Sequence, residues 1–221
     1  MKKFLCFMLC ILACFMCACS ASRGGDHTPF GETDAMDVSS NKDYSDSTGI
    51  DSDNMNVLDS GDYYTLYQNR DTSLLYYRIY DKNGNTVLEE GQETYRPMNI
   101  TMIGGSVVDI SVGYGTGIQG HRYYNAADNV LSREYMYVIA ATSTLVAYID
   151  VPQENTFDGR KVVVQNIFDE NVYRKEFKLD FSKTVMPIDK AEFSDDGTSL
   201  AVTYLTGEDM KPVSTVLSLG E

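Results

Sequence analysis

Imidazole and thiol are scarce in this chain. It has two histidines, His27 and His121, and five cysteines, all between Cys6 and Cys19. A His/Cys zinc site draws about four such ligands together, so beyond Cys19 it is excluded on supply. A Ser-His-Asp arrangement in the folded part has only His121 to use. That residue sits in Gly120-His121-Arg122-Tyr123, at a strand start after a glycine-rich loop. No Gly-x-Ser-x-Gly nucleophile turn lies near it, and it reads as a half-exposed strand-end histidine.

Carboxylates are abundant, 32 against 18 Lys and Arg, so a pair for acid/base hydrolysis is always in supply. Nothing singles one pair out. Asp109 lies on the non-aliphatic face of its strand and Asp150 follows another strand, and both read as ordinary polar positions. The run Gly113-Tyr114-Gly115-Thr116-Gly117-Ile118-Gln119-Gly120 is glycine-dense. A phosphate cradle would need a following helix to aim its N-terminus at the anion; none follows, and a hairpin loop is expected. Asp81-Lys82-Asn83-Gly84-Asn85 offers oxygens to a cation, but its Asn-Gly pair is the signature of a tight hairpin turn. Asp51-Ser52-Asp53-Asn54 lacks the glycine and the distal Glu of a calcium loop. No catalytic residue, cofactor or metal site is assigned, and the chain is read as a non-enzyme.

The elements that must position any site begin with a leader. Met1-Lys2-Lys3 is followed by an uncharged stretch over 4–18 and then Cys19-Ser20-Ala21-Ser22. A basic start, about fifteen apolar residues and a small residue before the break describe a secretory signal. The break reads Met16-Cys17-Ala18-Cys19 and resembles the lipobox of bacterial lipoproteins, fitting closely at Ala18 and Cys19 and loosely before them. A rival cut at Cys14, after Ile11-Leu12-Ala13, would leave an apolar core of only about ten residues. The resemblance implies removal of 1–18, diacylation (palmitate-type lipid) of Cys19, and a membrane anchor facing outside the cytoplasm. Two other readings are a plain cleaved signal and an uncleaved anchor; 4–18 is shorter than the roughly 20 residues a bilayer core requires.

Residues 19–56 then form an acidic stretch poor in apolar side chains, expected to be a disordered tether with an end-to-end reach near ~35 Å. The remaining 57–221 is long enough for one domain with a core. The chain's formal charge is −14, and loss of Lys2 and Lys3 makes the mature form more acidic still. That argues against nucleic acid as a partner and against direct adsorption on anionic lipid.

Within 57–221 the periodicity is that of strands. Val108, Ile110, Val112 and Tyr114 alternate with Val107, Asp109, Ser111 and Gly113. Leu200, Val202 and Tyr204 alternate with Ala201 and Thr203, and Phe177, Leu179 and Phe181 with Lys178 and Asp180. No stretch carries a helical period, and the Val, Ile and Thr content of 136–147 favours strands there too. An all-β domain is expected. Ser106, Thr144 and Ser199 each open a similar aliphatic run. Polar turns at 81–85, 127–129 and 169–171 recur about every 42 to 45 residues, the length of a four-stranded propeller blade.

Phe193-Ser194-Asp195-Asp196-Gly197-Thr198-Ser199-Leu200-Ala201-Val202 resembles the first hairpin of WD-repeat and TolB-like β-propeller blades, with Asp195 where Pro is usual. Four units follow, 57–93, 94–134, 135–185 and 186–221, with the first and last each expected to be a strand short. The resemblance implies a small closed or open propeller; a two-sheet β-sandwich is the alternative. Sixteen tyrosines and no tryptophan complete the pattern. Tyr63, Tyr64, Tyr67, Tyr76, Tyr77 and Tyr80 crowd the first unit, as core packing or as a binding face for a protein or glycan ligand. The function expected is that of an extracytoplasmic binding or scaffolding lipoprotein. The alternative is a carboxylate-dependent hydrolase of envelope or extracellular polymers.

Overall fold

The computed structural model describes residues 36–37, 54–115, 117–152 and 157–220, all within the unit Thr33–Glu221. The leader, His27, Cys19 and most of the tether, including 51–53, lie outside the described residues, as does Thr116 at the tip of the glycine-rich loop.

Every regular element described is a β-strand. β1 (Met36–Asp37) falls in the stretch expected as tether. The first sheet is a four-stranded antiparallel meander of β2 (Met55–Gly61), β3 (Tyr64–Asn69), β4 (Leu75–Tyr80) and β5 (Thr86–Gly91). It is not a strand short as the sequence suggested, because pairing with β3 begins at Met55, two residues before the boundary at Val57. The second sheet holds β6 (Met98–Ile103), β7 (Val107–Gly115), β8 (Ile118–Asn125) and β9 (Val130–Leu131) in that order. β1 pairs with β9, and β10 (Tyr135–Met136) with β8. The third is β11 (Val138–Ala141), β12 (Leu145–Asp150), β13 (Lys161–Asn166) and β14 (Arg174–Lys178). The last has three strands, β15 (Ile188–Phe193), β16 (Ser199–Thr206) and β17 (Lys211–Ser218). The strand expected through Phe181 stops at Lys178. Beyond it, the Phe181 amide bonds the Leu179 carbonyl (3.1 Å) and the chain turns away.

Local chemistry accounts for the turns. Asp81 Oδ1 accepts the amides of Asn83 (2.8 Å) and Asn85 (2.9 Å), and Gly84 takes φ +81°. Its carboxylate is therefore consumed by its own turn, and the Asn85 side-chain amide, which donates to Oδ2 at 2.9 Å, together with those backbone bonds holds it below the usual carboxylate range. In the β15–β16 hairpin, Asp196 Oδ1 accepts from the Thr198 amide (3.0 Å) and the Ser194 hydroxyl (2.7 Å), with Gly197 at φ +67°. The three recurrent polar turns occupy equivalent places, each joining the third and fourth strands of its sheet. The three hydroxyl-led runs open the second strands β7, β12 and β16.

The sheets pack in series, face against face. One core joins the first and second sheets through Leu66, Tyr77, Ile79, Ile100, Ile110 and Tyr124. Another joins the second and third through Val107, Tyr123, Tyr135, Val146 and Val163. A third joins the last two through Ala147, Val162, Val164, Leu200 and Val202. The middle sheets are thus buried on both faces, which explains the unbroken apolar runs of β12 and β13. The end sheets are buried on one face only. On β4, Leu75, Tyr77 and Ile79 are buried, while Tyr76, Arg78 and Tyr80 stand half-exposed on the outer side. The six crowded tyrosines therefore divide between core and outer face. Only consecutive strands pair within each four-stranded meander, as blade-like units require.

Candidate functional site

A cavity of about 570 Å³ opens where β5 passes to β6 and β9 to β10, beside the core of the first two sheets. Its floor is a polar triad. Tyr77 and Glu90 are directly opposed across β4 and β5, so both side chains leave the sheet on one face, and the Tyr77 hydroxyl donates to Glu90 Oε2 at 2.6 Å. Arg122, on the face of β8 turned toward the first sheet, donates to the Tyr77 oxygen at 2.5 Å and ion-pairs with Glu90. Burial raises the Tyr77 pKa well above its ordinary value. Burial opposes the charge of Arg122, but Tyr77 and Glu90 outweigh that and raise its pKa. The guanidinium is a fixed cation.

The wall is aromatic and charged. Tyr114, 44% exposed, donates its hydroxyl to Glu134 Oε1 at 2.6 Å. Burial, then that bond, push its pKa up to about 12. The Arg96 guanidinium lies 4.9 Å from the centre of the Tyr114 ring. Gly120 lets this wall form, because a Cβ there would strike Glu134 Oε1 and come within 2.7 Å of the Tyr114 ring. Arg133 stacks on Tyr135 (4.6 Å) and Tyr148 (5.6 Å) and donates to the Tyr148 hydroxyl at 3.0 Å. Behind it, Tyr148 and Arg174 both donate to Gln165 Oε1, at 2.9 and 2.8 Å. Three arginines and three glutamates, Glu93 the last, thus line the cavity. Among the described residues no carboxylate lies within ion-pair distance of Arg96 or Arg133.

Of the residues singled out from sequence, Tyr77 and Tyr114 line this cavity and Gly120 backs its wall, while the candidate acid/base and imidazole residues lie elsewhere. His121 is not at a strand end but inside β8, on the face turned to the third sheet. Its Nδ1 bonds Asp109 Oδ1 at 2.9 Å and its ring stacks on Tyr123. Asp109 is therefore a paired residue, and both side chains are 15% exposed. Ser111 stands opposite His121 in register, yet its hydroxyl donates to the Asn99 carbonyl at 3.1 Å. Asp150 ends β12 with Lys161 Nζ at 3.9 Å. Gly113, Gly115 and Gly120 belong to the β7–β8 hairpin, as expected of that loop. The tyrosine cluster named Tyr77, but its partners carried no signal in sequence: Tyr77 and Arg122 sit in different sheets, and only the stacking of those sheets brings them together. A polar residue interrupting an apolar face, as Arg122 does between Tyr124 and Gly120, was the one available hint.

Comparison with known proteins finds no matching protein-family model, and no curated protein or solved structure detectably similar to this chain.

Proposed function

We propose that this chain is an extracytoplasmic lipoprotein, anchored in the membrane by lipid on Cys19, that binds a ligand without transforming it. The observation that carries the binding role is the cavity between the first two sheets, whose charged groups are held in place by tyrosine rings and hydroxyls. A concave site of several hundred Å³ with a few fixed polar groups is the usual form of a ligand pocket. The lipobox-like Met16-Cys17-Ala18-Cys19 supports the anchor, and the Phe193–Val202 segment and the four stacked sheets support kinship with propeller blades. A propeller-like body fits a binding platform, an analogy of fold.

The hydrolase alternative asks for a carboxyl free to give and take a proton. Of the three carboxylates lining the cavity, Glu90 is ion-paired with Arg122 and Glu134 accepts from Tyr114, so Glu93 alone is uncommitted and no pair of free carboxyls faces the cavity, which favours the binder. The test is a peptide and glycan array probed with the full-length protein, beside the same protein carrying Arg122→Leu. Retained binding that fails in the variant, with every arrayed ligand recovered intact, is the expected result. Cleavage of a ligand that stops in Glu90→Gln, or binding indifferent to Arg122, overturns the proposal. Labelled fatty acid incorporated by wild type and absent from Cys19→Ala checks the anchor.

A further inference from the structure

The charges of the cavity define the chemistry of what enters it. Arg78, Arg122 and Arg174 each have a carboxylate partner, and the buried Arg160 is held by the carbonyls of Thr184 (2.6 Å) and Ser182 (2.9 Å). Arg96 and Arg133 differ: each guanidinium carbon lies over a tyrosine ring and no described carboxylate reaches either, although Arg133 donates from Nη2 to the Tyr148 hydroxyl (3.0 Å) and Gln165 Oε1 (3.5 Å). In a chain with 32 acidic residues that is a notable omission, and both line the same cavity. A guanidinium held against a tyrosine ring loses little freedom when its N–H fork meets a planar two-oxygen acceptor.

The opposite sign is present as well. Glu93, an exposed lining residue, has no ion-pair partner among the described residues, while Glu90 and Glu134 are already committed. The three glutamates balance the three arginines, which leaves no net positive charge to hold a polyanion such as a polyphosphate or polyuronate. They would favour an ammonium beside a single carboxylate. Glu134 also places its charge next to the exposed Tyr114 ring, where a cationic or apolar side group would rest.

We propose that the cavity binds a small zwitterion of the amino-acid or short-peptide class, its carboxylate received by Arg133 and Arg96 and its ammonium by Glu93. This rests on the pocket-binding reading given above and names the ligand class for it. The experiment is calorimetric titration of the full-length protein with one dipeptide in four forms: free, C-terminally amidated, N-acetylated, and both. Inorganic phosphate is the fifth probe. The free dipeptide is expected to bind best, with amidation costing about ten- to hundredfold in affinity and acetylation less. Arg133→Gln should erase the difference between acid and amide, and Arg133→Lys should restore part of it. Because Arg133 also bonds Tyr148, exposed Arg96→Gln repeats the test in a variant whose fold is not at stake.

Equal binding of acid and amide, preference for phosphate, or no binding of any dipeptide overturns the zwitterion assignment. If neutral glycans bind instead and lose affinity in Arg122→Leu, the pocket reading survives that failure. If nothing responds to Arg122→Leu, both readings fall together.

Discussion

Tyr135 shows how much a single hydroxyl does in this chain. The ring is 2% exposed, and its hydroxyl donates to the Ile167 carbonyl at 2.6 Å while accepting from Gln165 Nε2 at 3.2 Å. It therefore ties the end of the second sheet to the third at the back of the Arg133 site. Tyr135→Phe keeps the ring packing against Tyr123 and Tyr148 but strands a buried carbonyl and amide. The expected cost is about 1–3 kcal/mol in urea unfolding, and a change below about 0.5 kcal/mol would mean the hydroxyl is not structural. Asp109 and His121 make the contrasting case. Read singly in sequence, each is a bland polar residue. Their pairing depends on a register in which Asp109 faces Tyr123 and Ser111 faces His121, and register between hairpin strands is not written in either residue alone.

At the scale of the element, the last sheet divides its valines. Val202 on β16 is 1% exposed and packs on the third sheet, whereas Val216 on β17 is 67% exposed on the outer face. Val202→Ala removes buried methyls and leaves a void, a loss of about 2 kcal/mol. Val216→Ala is expected to change stability by less than about 0.5 kcal/mol. Equal losses in thermal melts of the two variants would show that the outer face is covered after all. Strand identity was legible from period-two alternation in β7 and β16, and turn placement from Asn-Gly and Asp-Gly pairs. The four-unit division followed from their spacing. What alternation could not say is which strand is last. Tyr76 and Tyr80, which core packing of the six crowded tyrosines would have buried, stand instead half-exposed on the free side of an end sheet, with Tyr76 lying over Gly91. The cavity was hidden for the same reason, since it exists only where two separately legible units meet.

Over the whole molecule, tyrosine dominates the response to alkali. Burial raises the pKa of Tyr77 and Tyr123 strongly, and moves Tyr124 up to about 12, alongside Tyr114. An acid whose native pKa lies above its unfolded value of 10.0 keeps its proton longer in the native state. The unfolded state then binds fewer protons, and stability falls as pH rises. Stability contributed by these groups is thus fully present below pH 10 and is lost as pH rises through 12. Urea midpoints measured from pH 8 to 11.5 should hold level and then drop. Tyr124→Phe should soften the drop, and a midpoint independent of pH would contradict the burial of these hydroxyls.

Because each of the three buried cores joins consecutive sheets of the described domain, those sheets behave more like a short stack of coins than a ball. Cooperativity in such a stack is passed hand to hand, and the outermost members have half the grip of the inner ones. Native-state deuterium uptake should therefore be slowest in Val146–Ile149 and Val162–Gln165, which are buried at the centre, and quickest in the amides of β2 and β17. Uniform protection from end to end would reveal a ring.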